Sequence, residues 1–137
     1  MRSIMAAVAL VDSSVWIRLL RQGMDPVREL VQRAREYDLA TCGMVRLEVL
    51  RAIVHRPVYD AVEAFMNVML LVPTDDRIWE AATEEAWRLG RKGVTLPDQD
   101  LVIASCARRI DAAVLTFDGH FSDIPGITVM SSLDELR

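Results

Sequence analysis

Two cysteines, two histidines and a single lysine are all that this chain of 137 residues holds of the side chains that most often build zinc, redox and amine-nucleophile sites. Cys42 and Cys106 are isolated, with neither a C-x-x-C pair nor a histidine at ligand spacing. Zinc and thiol-redox motifs are therefore excluded, and two buried thiols in a reducing cytoplasm are expected. His55 and His120 are expected to be bystanders, since an isolated histidine is more often structural than catalytic. Apart from Lys92 every basic side chain is an arginine, a residue suited to bidentate contacts with carboxylate or phosphate. No apolar run reaches the roughly 18 to 20 residues that a membrane span requires, and the longest are broken by acids or by Pro73. Residues 4–11 after Arg2 imitate a signal peptide only faintly, because the run ends at an acid without a small-residue cleavage site. A cytoplasmic protein with no membrane partner is expected. Linkers rich in proline, glycine or serine are missing, as are repeats, so residues 1–137 are expected to form a single domain. A net charge of -4 and a pI of about 5.1 argue against a surface that coats nucleic acid. They leave open a small site that holds phosphate through a metal.

What is present is apolar: 52% of the residues are hydrophobic, enough for a substantial core. Residues 6–11 form a continuous apolar run of the kind found in strands buried on both faces of a parallel sheet. Ser13 or Ser14 is expected to cap a helix with Val15, Trp16, Leu19 and Leu20 on its apolar face. Asp25 and Pro26 open another, with Val27, Leu30, Val31 and Ala34 at helical spacing. A strand is expected at 39–42, a helix over 44–54 limited by Pro57, and a helix over 59–69. A short strand at 70–73 follows, then a helix over 78–89 closed by Gly90 or Gly93. The remaining elements are a helix over 97–109, a strand over 112–117 and a last short strand over 127–130. Alternating strands and helices imply an α/β three-layer sandwich with a mainly parallel sheet.

Several acids sit where this pattern makes them conspicuous. Ligands of open α/β sheets bind outside the carboxyl ends of the strands, and Asp12 and Asp118 each end a strand. Strand-to-helix loops often carry aspartate as a turn former, so neither is decisive alone. Glu48 lies on a helix among Val45, Val49 and Ala52, with a surface pairing to Arg51 as its plain alternative. Asp100 shares a helix face with Ile103, Ala104 and Ala107, where a lone carboxylate is costly. Asp98 has a structural role available, a capping box with Thr95, and is retained only as an outer acid. Carboxylates gathered at one sheet edge repel unless a cation is bound. Oxygen donors suit hard Mg²⁺ or Mn²⁺, whose chemistry is commonly water attack on phosphate.

The blocks "LVDSSVWI", "VRLEVLR", "DLVIASCA" and "LTFDGHF" with "IPGITV", in this order, resemble the PIN-domain ribonucleases, and their length and spacing are similar to the VapC toxins of bacterial toxin–antitoxin pairs. The resemblance covers nearly the whole chain and is weakest over residues 55–95. It implies a PIN-like α/β/α sandwich and a catalytic site of Asp12, Glu48, Asp100 and Asp118. Asp12 and Asp100 would be the main Mg²⁺ ligands, with Mn²⁺ as the substitute ion. Asp118 would bind metal directly or through water, and Glu48 would hold a metal-bound water. Ser14, Thr116 and Asp98 are supporting candidates. The implied activity is hydrolysis of RNA phosphodiesters by a metal-activated water. The implied partners are an RNA substrate, a VapB-type antitoxin covering the acidic groove and a second copy in a homodimer. Trp16, Trp79, Trp87, Phe65, Met66 and Met69 are candidates for burial by the antitoxin, although ordinary core is the better expectation for each.

Two other enzyme classes compete poorly. Phosphatases of the haloacid dehalogenase type need a second aspartate two residues after the first, where Ser14 stands here. A phosphoacceptor receiver domain needs a lysine after its late strands, and none follows. A PIN-like scaffold acting only as a binding module keeps some weight, because fold does not determine turnover.

Overall fold

The computed structural model describes residues 7–33, 35 and 37–131. Its five strands form one sheet in the order β3-β2-β1-β4-β5, parallel at every pairing. These are β1 (Ala7–Val11), β2 (Tyr37–Cys42), β3 (Leu70–Val72), β4 (Ala113–Leu115) and β5 (Val129–Met130). Six α-helices flank the sheet: α1 (Ser13–Arg21), α2 (Pro26–Arg33), α3 (Gly43–Ala52), α4 (Arg56–Val68), α5 (Asp76–Arg91) and α6 (Asp98–Arg109). The chain runs outward through β2 and β3 by way of α1 to α4, then back past β1 by way of α5 and α6, and connections between parallel strands are right-handed as a rule. The two helix groups therefore cover opposite faces, which is the expected three-layer α/β/α sandwich.

Central position explains the apolar runs. Ala9, Leu10 and Val11 of β1 and Val114 and Leu115 of β4 are fully buried, because a parallel strand between two helical layers has no solvent face. The strand at 6–11 is present as β1, with residue 6 outside the described residues. Ala34, placed on the second helix by its spacing, also lies outside them. Val31 is 54% exposed and does not join the core, while Leu30 beside it is buried.

Three local expectations need correcting. Neither Ser13 nor Ser14 caps α1. Asp12 is the residue before the helix, without a side-chain cap bond, and both serines are helical with hydroxyls drawn to carboxylates. Pro57 opens α4, in a first helical turn where proline loses no hydrogen bond. The Thr95–Asp98 capping box does not form, because α6 starts at Asp98 with Pro97 before it and no side-chain cap. Thr95 thus stands two residues too early, and Asp98 takes the first helical position instead of the third.

Helix α5 runs through Gly90 and stops beyond it. Gly93, at φ 79°, turns the chain so that Val94 N–H donates to Leu89 O at 2.9 Å. The sequence reversal between β1 and β4 makes a switch point, where the carboxyl ends of the two strands open a crevice.

Candidate active site

The switch point is fixed by backbone register before any side chain is added. Val11 pairs with Leu115, and Asp12 N–H donates to Leu115 O at 2.9 Å. Asp12 and Thr116 are thereby brought side by side at the ends of β1 and β4. Oδ2 of Asp12 accepts from Thr116 Oγ1 at 2.8 Å and from Ser14 Oγ at 2.7 Å. Oδ1 is buried without a hydrogen-bond partner. A buried carboxylate with one oxygen doubly satisfied and the other orphaned is costly unless a cation completes it.

Thr116 also accepts from the Asp118 N–H at 2.9 Å. Asp118 Oδ1 in turn accepts from the His120 N–H at 2.9 Å, opening a short 3-10 helix, Gly119–Asp123. The same turn carries the His120 ring inward. Its Nδ1 lies 2.8 Å from Asp100 Oδ2 and 3.0 Å from Asp118 Oδ1. Asp100 sits in the first turn of α6, an end that favours negative charge. From α3, Glu48 Oε1 accepts from Ser13 Oγ at 3.3 Å.

Asp12, Glu48, Asp100 and Asp118 all line one groove of about 750 Å³, together with Ser13, Ser14, Arg18 and Arg21. One ligand atom each from Asp100, Asp118 and His120 lies within 4.8 Å of the other two. Asp12 and Glu48 line the same groove but stand outside that tightest group. Asp98 is exposed and does not line the groove, in keeping with its place at the outer start of α6. His120 is corrected from bystander to a member of the cluster. Its two-residue spacing from Asp118 in "DGH" was the available signal, since an aspartate turn brings such a residue back toward the carboxylate.

Charge in the groove is strained. Burial is the main cause that pushes the Asp100 carboxyl up to about 6, with the Asp118 and Asp12 charges adding to it and the His120 hydrogen bond opposing. Glu48 is also raised, first by burial and then by Asp12, against the Ser13 hydrogen bond. His120 is raised, chiefly by its hydrogen bond to Asp100. Each shift has the sign expected of acids short of positive charge. The orphaned Asp12 oxygen, the mutual repulsion and the largely oxygen donor set fit a hard divalent cation, with one imidazole nitrogen that Mn²⁺ also accepts.

Of the aromatic and methionine candidates, Trp16 and Met66 belong to the core and Phe65 packs edge-on to Trp16 at 6.0 Å. Trp79 and Trp87 are 49% and 61% exposed on α5. Cys42 and Cys106 are both free and buried. No helix among the described residues is long and apolar enough to cross a membrane.

A parallel sheet with an acidic switch point of this kind defines a class, and a sequence profile of the PIN domain matches residues 9–127. The chain belongs to the PIN-domain family. Among solved structures it is similar to DNA-bound VapBC from Salmonella typhimurium, at 18% identity and TM-score 0.73, covering 90% of this chain and 97% of that one. VapBC2 from Rickettsia felis, bound to a fragment of promoter DNA, is similar at 17% identity and TM-score 0.72, with the same coverage of 90% and 97%. VapBC-1 from nontypeable Haemophilus influenzae gives 17% identity, TM-score 0.72 and again 90% and 97%. No curated protein matches the chain in sequence.

Proposed function

We propose that this chain is the toxin of a VapBC-type toxin–antitoxin pair and acts as a Mg²⁺-dependent endoribonuclease. The observation that carries the reading is the convergence of Asp12, Glu48, Asp100 and Asp118 on one groove from four separate elements of the chain. A divalent cation bound there supplies positive charge to the phosphoryl oxygens and lowers the pKa of water. Asp12 and Asp100 would hold it, with Asp118 joining directly or through water. Ser14 and Thr116 lock Asp12 in one orientation and leave Oδ1 free for the ion. Glu48, tethered by Ser13, takes the proton of the attacking water. A 2′-hydroxyl nucleophile has no role in this scheme, so the products carry 5′-phosphate and 3′-hydroxyl ends.

The partners follow from the same reading. The similar solved structures are VapBC complexes, and a VapB-type antitoxin is the partner that silences this chain. An arginine from that partner entering the groove would take over the charge role of the metal. A homodimer is its resting assembly, and the exposed Trp79 and Trp87 on α5 are surfaces available for burial. The deciding experiment expresses the chain with and without the neighbouring antitoxin gene and maps RNA ends. New 5′-phosphate ends that vanish with Asp12→Asn or with the antitoxin support the reading. Ends bearing 2′,3′-cyclic phosphate defeat it, and an intact transcriptome with folded protein leaves a binding module.

A further inference from the structure

Two arginines on the rim of the acidic groove pair with no carboxylate among the described residues. Arg18 and Arg21 line it from α1, three residues apart on one side of the helix. Neither forms an ion pair among the described residues, although four acids line the same groove. Arg46 and Arg51, on α3, do not line it. Arg18 is engaged instead by an aromatic ring, with its guanidinium carbon 4.1 Å from the centroid of Phe117. A guanidinium over a ring face keeps the N–H donors at its edge available.

This stack is tied to the catalytic carboxylate through one hydroxyl. Ser14 Oγ donates to Asp12 Oδ2 and accepts from the Phe117 N–H at 3.1 Å. Arg18 lies one helical turn beyond Ser14, on the same face. The Phe117 backbone is thus pinned beside the first turn of α1, and its ring covers the second. A negatively charged strand approaching four carboxylates on a chain of net charge -4 needs fixed cations near its path. We propose that Arg18, with Arg21 beside it, clamps a phosphate of the RNA strand other than the one being hydrolysed, and that Phe117 is the positioning residue that holds the Arg18 guanidinium. The proposal rests on the ribonuclease reading above.

The test measures binding of a short, fluorescein-labelled single-stranded RNA of mixed sequence by anisotropy, in Ca²⁺ and over a range of salt, and cleavage of the same RNA in Mg²⁺. Arg18→Ala is expected to weaken binding by about tenfold, the scale of one charge-assisted hydrogen-bonded contact. It should also lower the slope of log affinity against log salt by about 0.7, the value for one phosphate on a single strand. KM rises by the same factor while kcat stays within about twofold, as expected for lost uniform binding. Arg18→Lys keeps the salt slope and recovers part of the affinity. Phe117→Leu weakens binding without changing the slope, and Arg51→Ala changes neither. Thermal melts matching the wild type show that these variants fold. Wild-type affinity and slope in Arg18→Ala overturn the clamp, as does a wild-type chain that binds no RNA. Loss of antitoxin binding with RNA binding intact also overturns it, assigning the arginines to the protein partner. RNA binding with this signature but no cleavage leaves the clamp standing and removes the nuclease reading.

Discussion

Asp100 and His120 face each other in the site with opposite consequences for stability. The buried Asp100 carboxyl titrates near 6 in the fold and near 3.9 when unfolded. The native state therefore binds more protons between those values, and this group costs stability as pH rises through the window. In metal-free protein, Asp100→Asn should melt above the wild type at pH 7 and equal to it at pH 3.5, and under the proposed ribonuclease function it should lower RNA cleavage by about a hundredfold or more through removed metal charge. A variant that melts below the wild type at pH 7 would show that Asp100 is not held at a cost. His120 has the opposite linkage. Its raised pKa stabilises the metal-free fold fully below the unfolded value of about 6.5. That contribution is lost as pH rises through its folded pKa. His120→Ala should thus melt lower than the wild type at pH 5.5 and converge with it at alkaline pH, which calorimetry across pH checks.

Helix α6 is the element that makes the site possible. It is buried from Asp100 to Ala107, so packing along its length against α5 and β4 fixes where its first turn meets the groove. Its far end is tied down as well. Arg108 Nη2 donates to Glu85 Oε1 on α5 at 2.9 Å and to Pro125 O at 2.6 Å. Glu85 is buried and Arg108 partly exposed, so solvent screens part of the pair. Arg108→Met should cost about 1 kcal/mol in urea unfolding, the scale of a net hydrogen bond. The Arg108→Met, Glu85→Leu double variant should recover some of it, because no unpaired acid is left buried. Equal losses in single and double variants would remove the unpaired Glu85 as the cause.

At the scale of the molecule, a metal held in the groove as proposed would share one free energy with folding. A cation that binds only the folded groove stabilises by about 2.7 kcal/mol at a hundred times its Kd. Mg²⁺ should therefore raise the melting temperature of the wild type in a concentration-dependent way and leave that of Asp100→Asn nearly unchanged. A shift of the same size in both would locate the ion elsewhere. The two thiols report global opening. Cys42 and Cys106, fully buried under the sheet and α6, should react with a thiol reagent only on unfolding, since inaccessible thiols are inert. Reaction in the native state would show local opening of the core near α6.

Local chemistry made much of this molecule legible. The apolar runs of β1 and β4 read correctly as strands buried on both faces, because a central strand of a parallel sheet between helical layers leaves no polar face to encode. Aspartates ending the runs at β1 and β4 marked the carboxyl edge for the same reason. Helix starts were less legible. Ser13, Ser14 and Thr95 have the right side chains for caps, yet the serines turn to carboxylates instead, Ser13 to the distant Glu48 and Ser14 to the neighbouring Asp12, and the true start of α6 bypasses the threonine. Only the tertiary structure decided that His120 completes the cluster and that Phe117 carries Arg18. Each depends on elements brought together across some twenty to a hundred residues of chain, and pairings of that range leave no periodic trace in the sequence.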